Sequence, residues 1–286
     1  MNRRYFAFGK LIAEYSGDLS LLKGTSLEQF RTLQGCSDFT VELRQGELPP
    51  CGDQVKIAQM PDGAVYRRNG LWHRRFAANY GGDYREYAVV EYSNSAACLT
   101  VAPDCGNMPQ CVESCTAFEH LALWANALPI HASHIQLQGR AIAFTAPCGT
   151  GKSTQAALWE KHRGAKVING DKTLLLCKES PIYASGLPYS GTCGICHNAA
   201  APLQAIVVLE QGRENVLTPL RGAKAVSRLM TGVICQSWHE GDTEKALSLA
   251  IHVATCVPVF LLSCLPDESA VSCLESALQE LSEKEK

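Results

Sequence analysis

Residues 146–154 (APCGTGKST) combine the residue types that bind phosphate groups in proteins. Their spacing follows the phosphate-loop (Walker A) pattern G-x-x-x-x-G-K-[ST], with Ala146 in place of the first glycine. In such a loop the backbone N–H groups and the N-terminus of the following helix face the phosphate oxygens. The motif therefore predicts binding of a nucleoside phosphate. The candidate binding residues are Pro147, Cys148, Gly149, Thr150, Gly151, Lys152, Ser153 and Thr154.

The residues around this motif predict the elements that a phosphate loop requires. Residues 141–145 (AIAFT) form a short apolar run typical of a buried strand, and residues 151–162 predict a helix. Lys152 would then reach the β- and γ-phosphates, and the Ser153 hydroxyl would ligate Mg²⁺. A glycine-rich strand-to-helix turn without a ligand is the alternative, which the agreement of motif, strand and helix disfavours.

A carboxylate that holds the metal ion is the second requirement of a nucleotide triphosphatase or kinase. Asp171 follows the apolar run 166–168 (KVI), where a strand beside the loop would end. We therefore predict that Asp171 and Ser153 ligate Mg²⁺. The alternative is a turn aspartate in the Asn-Gly-Asp sequence at 169–171.

Short β-branched or aromatic runs at 40–43, 55–58, 64–67 and 87–92 mark the N-terminal part of the chain. They predict a small antiparallel β-rich unit, and residues 27–33 predict a helix. Residues 102–109 (APDCGNMP) are rich in turn formers. We place a domain boundary there, with a β-rich domain at 1–108 and a nucleotide-binding domain at 109–286.

Beyond this boundary the pattern alternates between strands and helices. Helices are predicted over 112–128, 151–162, 222–230, 243–256 and 267–283, and strands over 141–145, 166–168, 173–177, 205–209 and 257–262. Such alternation predicts an α/β domain with a mixed sheet, whose functional loops lie at the ends of strands.

Charge and cysteine content limit the classes of partner and compartment. The formal net charge is −2, which supplies no cationic field for nucleic acid or anionic lipid, so we expect neither a nucleic-acid nor a membrane partner.

The 14 cysteines fall below the content of about 8–10 % that marks a disulfide scaffold. The first twenty residues lack a continuous signal-peptide core. We expect a cytoplasmic protein with reduced thiols.

Three features resemble the C-terminal domain of HPr kinase/phosphorylase and its phosphoenolpyruvate-carboxykinase-like relatives. His131 (in IHAS) matches a histidine on the strand before the loop, residues 146–154 match the loop, and residues 167–176 (VINGDKTLLL) match the acidic segment after it. The resemblance implies an HPr-kinase-like P-loop domain preceded by a small β-rich domain. It also implies ATP and Mg²⁺ as cofactors, and catalytic roles for Lys152, Asp171 and His131.

The chain departs from that family at two positions. Cys148 stands at a serine-like position of the loop, where backbone amides do most of the binding. Gly170 replaces the first of two adjacent aspartates, which divide metal binding and proton abstraction in the family. Asp171 aligns with the second, so metal binding is expected to persist while a base is missing. His131, with an ordinary pKa near neutral, is the candidate to assist as a base or a phosphate contact.

The leading hypothesis is an ATP- and Mg²⁺-dependent kinase that phosphorylates a serine-type hydroxyl of a small protein or peptide, or of a small molecule. The resemblance makes a homo-oligomer an expectation and gives the β-rich domain a role in acceptor binding. A nucleotide-binding regulatory protein without catalysis is the second hypothesis, which Gly170 favours. Carboxykinase chemistry ranks third because the chain is short and shows no second metal-binding Lys/His set.

Several residues outside these motifs suggest other chemistry. Cys193, Cys196 and His197 satisfy the C-x-x-C-H pattern of c-type haem attachment, which we reject because that chemistry needs an exported protein. A zinc site there would need further ligands, whereas small buried hydrophobes are the expected role of these thiols. Arg213 and Arg221 are candidates for γ-phosphate contacts, against an ordinary solvated role. The further zinc-ligand candidates are Cys105, Cys111, Cys115 and His120.

Overall fold

The computed structural model describes residues 2–33, 35–80, 82–105, 109–189 and 191–284. The chain divides into unit 1, with Met1–Ala125 and Gln236–Asp242, and unit 2, with Asn126–Cys235 and Thr243–Lys286. Each unit is built on one large mixed sheet, which confirms a mixed α/β protein. The units divide after Ala125 rather than after residue 108, and residues 106–108 of the predicted boundary lie outside the described ranges. As domain limits, 1–108 and 109–286 stay a prediction.

Unit 1 contains a nine-stranded sheet. Its strands are β1 (Arg3–Phe8), β2 (Leu11–Gly17), β3 (Arg31–Thr32), β4 (Phe39–Gln45), β5 (Val55–Met60), β6 (Gly63–Arg68), β7 (Leu71–Tyr80), β8 (Asp83–Tyr92) and β9 (Ala96–Val101). Their order is β3-β1-β2-β4-β9-β8-β7-β6-β5. Strand β4 is parallel to both β2 and β9, so the prediction of an antiparallel unit is wrong at the centre of this sheet.

The helices of unit 1 are shorter than the sequence predicts. Residues Ser26–Phe30 form a 3₁₀ turn that leads into β3, in place of the helix predicted for 27–33. The helix predicted over 112–128 is two helices, α1 (Pro109–Cys115) and α2 (Phe118–Trp124). The break falls at Ala117, whose φ of 54° is left-handed and cannot continue an α-helix. The end of the predicted helix belongs instead to the first strand of unit 2.

Unit 2 contains an eight-stranded sheet and further helices. The strands are β10 (Ala127–Leu137), β11 (Arg140–Thr145), β12 (Lys166–Asn169), β13 (Lys172–Leu176), β14 (Tyr183–Gly186), β15 (Ala200–Gln211), β16 (Val216–Leu220) and β17 (Val259–Cys264). The helices are α3 (Lys152–Arg163), α4 (Gly222–Met230), α5 (Glu240–Cys256), whose first turn belongs to unit 1, and α6 (Glu268–Lys284). The predicted strand 141–145 and helix 151–162 correspond to β11 and α3.

The pairing of these strands brings three chain segments to one edge of the sheet. Strand β11 is parallel to β15, and β15 is parallel to β17, so the segments that follow these strands leave the sheet at the same edge. Strand β10 is antiparallel to β11, β12 and β13. The start of β11 therefore lies beside the end of β10, and the middle of β10 lies beside the segment between β12 and β13.

Helix α3 is held against the sheet by a buried apolar cluster. Trp159 of α3 packs with Phe144 of β11, Leu262 of β17 and Leu274 of α6. Arg163, in the last turn of α3, donates to Glu275 of α6 at 2.8 Å. The cluster fixes the axis of α3, and with it the direction of its N-terminus. Among the described residues, no helix is long and apolar enough to cross a membrane.

Candidate active site

The loop between β11 and α3 has the backbone that the motif predicts. Gly149 and Gly151 have φ angles of 78° and 115°, in the region that only glycine adopts without strain. Ala146 is buried and is not among the described residues with positive φ. The alanine in place of the first motif glycine therefore introduces no backbone strain. Pro147, Cys148 and Gly149 are exposed at the rim of the loop, above the first turn of α3.

Lys152 lies folded over the base of the loop. Its Nζ atom donates to the carbonyl oxygens of Ala146 at 2.9 Å and Pro147 at 3.3 Å, and the residue is 7 % exposed. Burial lowers the pKa of Lys152, and the nearby Cys148 and Asp171 oppose that shift. An ammonium group has three N–H donors, so one of them is not engaged by these two carbonyls. The side chain is a buried cation placed at the N-terminus of α3.

His131 and Asp171 meet beside the loop. His131 Nδ1 lies 3.4 Å from Asp171 Oδ1, and both side chains are partly exposed. The contact follows from strand register, because His131 of β10 pairs with Lys172 of β13. Burial and the positive charge of Lys152 lower the pKa of His131, while Asp171 raises it. The neutral imidazole is therefore favoured at pH 7.

Ser153 connects the start of α3 to the acidic segment. Its hydroxyl donates to the carbonyl oxygen of Gly170 at 3.4 Å, one residue before Asp171. The sequence-predicted metal ligands Ser153 and Asp171 thus belong to segments in contact. The loop, Lys152, Ser153, Asp171 and His131 are all brought to one edge of the unit 2 sheet.

Asn169 is a site residue that the sequence analysis did not single out. Its side chain is fully buried, and Oδ1 accepts the backbone N–H groups of Asp171 and Lys172, both at 2.9 Å. Its Nδ2 atom donates to the carbonyls of Leu187 at 2.8 Å and Tyr189 at 2.9 Å. Asn169 therefore fixes the turn that carries Asp171. The Asn-Gly-Asp turn signal contained this information, since asparagine commonly bonds to backbone two residues on.

A second loop packs closely on the acidic segment. A Cβ atom at Gly191 would lie 2.7 Å from Asp171 Cγ, and one at Gly170 would lie 2.3 Å from Cys193 Sγ. The Cys193 thiol thus occupies the space that a side chain at residue 170 would need. Glycine at both positions lets this loop approach Asp171, which the sequence alone did not indicate.

A cavity of about 350 Å³ opens on the other side of the phosphate loop. It is lined by Gly149 and Thr154 of the loop and by Gln211, Cys264 and Pro266 at the ends of β15 and β17. Gln155 Nε2 lies 3.3 Å from Cys264 Sγ at its wall. The cavity adjoins the backbone of residues 149–151.

The other residues that the sequence singles out are divided among different places. Arg213 is exposed in the turn after β15, at the same sheet edge as the loop. Arg221 follows β16, which is antiparallel to β17, so it lies toward the opposite edge. Among the described residues, the side chains of Cys193, Cys196 and His197 are in no group of metal ligands. The Cys111 side chain lies outside the described residues, and His120 belongs to a different cluster in unit 1.

We predict that Asn169→Ala destabilises the protein by about 2–4 kcal/mol, because it removes the partners of buried backbone groups, each worth about 1–3 kcal/mol when left unsatisfied. Urea unfolding measures the change. Asn169→Asp keeps the acceptor but turns a second oxygen toward the carbonyls of Leu187 and Tyr189, so we expect it to destabilise the protein at least as much as Asn169→Ala. A loss below about 0.5 kcal/mol for Asn169→Ala, the range of ordinary surface substitutions, would contradict the assigned role.

Comparisons with known proteins give a family model and distant solved structures. No curated protein matches the chain. The structure of the Hpr(Ser) kinase/phosphatase from Coxiella burnetii aligns over 54 % of this chain and 98 % of its own, at 11 % identity and a TM-score of 0.32. The family model "SynChlorMet cassette protein ScmC" matches residues 107–266, which is more than half of the sequence and includes the loop and Asp171. The chain therefore belongs to the SynChlorMet cassette protein ScmC family.

Proposed function

We propose that this protein is an ATP- and Mg²⁺-dependent kinase that transfers the γ-phosphoryl group to a serine-type hydroxyl of a small protein or peptide. The observation that carries the proposal is the convergence of the phosphate loop, the buried Lys152, Asp171 and His131 at one edge of the unit 2 sheet. Phosphoryl transfer depends mainly on positioning and charge neutralisation, which is what this set of residues supplies.

The donor set fits a nucleotide and its metal ion. The backbone of residues 147–151 and the N-terminus of the twelve-residue helix α3 would hold phosphate oxygens, with Lys152 beside them. Ser153 and Asp171 supply oxygen atoms, the ligands that Mg²⁺ prefers. ATP would supply the phosphoryl group, and Mg²⁺ would neutralise its charge. The cavity beside Gln211 and Cys264 would accommodate the nucleoside.

His131 would orient and deprotonate the acceptor hydroxyl. It is neutral at pH 7, partly exposed, and next to Asp171. A neutral imidazole can accept a proton, and the adjacent carboxylate stabilises the imidazolium that results. In this proposal His131 takes the role that the residue at 170 cannot supply, because Gly170 has no side chain.

A second candidate function is nucleotide binding without phosphoryl transfer, as a regulatory protein. The Cys193 thiol against Gly170 favours it, because the loop leaves no room for a second carboxylate beside Asp171. Both candidates require ATP at the same loop. They differ in whether an acceptor is phosphorylated.

We expect Lys152→Ala to weaken binding of Mg·ATP by about 10–100-fold, because it removes a charged hydrogen bond worth about 1.5–3 kcal/mol. Calorimetric titration measures the binding, and ADP formation with candidate acceptors measures the turnover. The matched control is Lys161→Ala, at an exposed position of the same helix. Because the family is described as a cassette protein, proteins and peptides encoded in that cassette are the first acceptors to test.

The outcomes of this experiment separate the two candidates. Phosphorylation of a serine-type hydroxyl, lost in Lys152→Ala and kept in Lys161→Ala, supports the kinase. Binding of Mg·ATP without turnover by every acceptor supports the regulatory protein. A wild-type protein that does not bind Mg·ATP would exclude both.

If His131 is the base, activity requires its neutral form and is lost as the pH falls through its pKa. That pKa lies below 6.5 because of burial and the charge of Lys152, which outweigh Asp171. We expect kcat/KM to fall as the pH is lowered, with a midpoint below pH 6.5. His131→Asn should remove this decline and lower the plateau by about 10²–10⁴-fold. An unchanged pH profile in His131→Asn would assign the base to another group.

Restoring an aspartate at residue 170 requires space as well as the substitution. Gly170→Asp alone should be poorly tolerated, because its Cβ would meet Cys193 Sγ at 2.3 Å. The double variant Gly170→Asp/Cys193→Ala removes that overlap, so we expect it to show higher kcat than either wild type or Cys193→Ala. A double variant that melts at the wild-type temperature yet turns over no faster would show that a second carboxylate is not what limits the rate.

A further inference from the structure

A group of potential metal ligands is buried in unit 1, separate in sequence from the phosphate loop. His120 lies on α2, and His239 and Asp242 lie in the segment Gln236–Asp242 that returns to unit 1. His120 and Asp242 are fully buried, and His239 is 7 % exposed. One ligand atom from each of the three side chains lies within 4.8 Å of the other two. In the described residues this is the only such group.

Two imidazole nitrogens face the same carboxylate oxygen. His120 Nδ1 lies 2.8 Å and His239 Nδ1 lies 3.4 Å from Asp242 Oδ1. Zinc binds nitrogen and oxygen at about 2.0–2.2 Å, so neighbouring ligands of a tetrahedral ion are about 3.3–3.6 Å apart. The His239 distance matches this value, whereas the His120 distance is that of a hydrogen bond and needs to lengthen by about 0.5 Å. One nitrogen therefore lies at the coordination-shell distance from Asp242 Oδ1, and the other requires a small shift of its side chain.

Hydrogen bonds pair only one nitrogen of each imidazole. His120 Nδ1 lies at a hydrogen-bond distance of 2.8 Å from Asp242 Oδ1, and His239 Nδ1 accepts the backbone N–H of Asp242 at 3.1 Å. The Nε2 atoms of both histidines are buried without a hydrogen-bond partner among the described residues. An ion bound between the two Nδ1 atoms and Asp242 would replace the hydrogen bonds of those atoms, so its binding competes with them.

The surroundings resemble the outer shell of a metal site. Trp124 Nε1 donates to Asp242 Oδ1 at 2.9 Å, a contact that fixes the orientation of the carboxylate. The Trp72 ring lies 4.3 Å from that of His239, and the Tyr92 ring lies 4.9 Å from that of His120. These aromatic rings pack against both imidazoles.

We propose that His120, His239 and Asp242 bind a divalent transition-metal ion such as Zn²⁺, which fastens the segment Gln236–Asp242 to unit 1. Two imidazoles and one carboxylate are a donor set that zinc uses, with a fourth position left for water or another ligand. Ligation through Nδ1 leaves the single proton of each neutral imidazole on Nε2. The site does not depend on the proposed kinase activity, and Lys152→Ala should bind the same ion.

The test uses Co²⁺ as a spectroscopic probe of the full-length chain, purified without a histidine tag, stripped with a chelator and kept reduced. The chain has 14 cysteines, so the probe must distinguish nitrogen and oxygen ligands from thiolates. We expect one equivalent of Co²⁺ to give ligand-field bands without a thiolate-to-cobalt charge-transfer band. Zn²⁺ should displace it and raise the melting temperature of the protein.

His239→Gln should weaken Co²⁺ binding by more than about 10-fold, since it removes a direct ligand and even outer-shell changes cost about 10–100-fold. The matched control, His252→Gln, alters an exposed histidine on α5 and should leave binding unchanged. His239→Gln rather than His120→Gln is the primary variant because His239 precedes α5 and is slightly exposed, and circular dichroism checks that it folds. A thiolate band, equal binding by His239→Gln, or no stoichiometric Co²⁺ in the wild type would overturn the proposal.

Discussion

Strand β10 bonds to β13 through residues 127–131 and to β11 and β12 through residues 132–137. This shared pairing is the constraint on which the candidate site depends. Because β10 pairs with three neighbouring strands, it fixes their registers together. A slip of one residue in any of these pairings would turn the side chains of the slipped strand to the other face of the sheet. The register that places Ala132 opposite Thr145 also places His131 opposite Lys172. The loop that follows β11 and the turn before β13 are thereby held beside His131.

The electrostatics of the site are local. The net charge of −2 gives the molecule no general attraction for anions. The positive charge of the site is instead that of Lys152. Its Nζ atom is held over the loop, at the N-terminus of α3, by hydrogen bonds to two backbone carbonyls. Its charge contributes to the lowered pKa of His131, and Asp171 opposes it. The same contacts thus place a buried cation and a neutral imidazole beside the loop.

The elements that could be predicted from the sequence are those whose signals lie within a short stretch of the chain. Residues 146–154, with a strand before and a helix after, specify a loop whose glycines have the φ angles that the motif requires. The alternation of elements in unit 2 was also predictable, since apolar runs and turn residues separate them. The helix predicted over 112–128 was wrong because Ala117 breaks it and residues 127 onward join a sheet.

Features that depend on distant contacts were not predictable. Asn169 carries a common turn signal, yet its amide reaches carbonyls at residues 187 and 189. Gly170 stands where the resemblance leads one to expect an aspartate, and the structure adds that Cys193 Sγ occupies the space of a side chain there. His239 and Asp242 reach His120 only because the chain returns to unit 1 after residue 235. The sequence of a single protein contains no signal for such contacts between distant residues.

Hydrogen–deuterium exchange with and without Mg·ATP tests whether the loop amides bind phosphate, because it observes those amides themselves. If those amides hold phosphate, exchange should slow in residues 147–154 and around Asp171 in the wild type, and should slow much less in Lys152→Ala at the same Mg·ATP concentration, set near the wild-type Kd. Exchange in 147–154 that is the same with and without a saturating concentration of Mg·ATP would contradict the account.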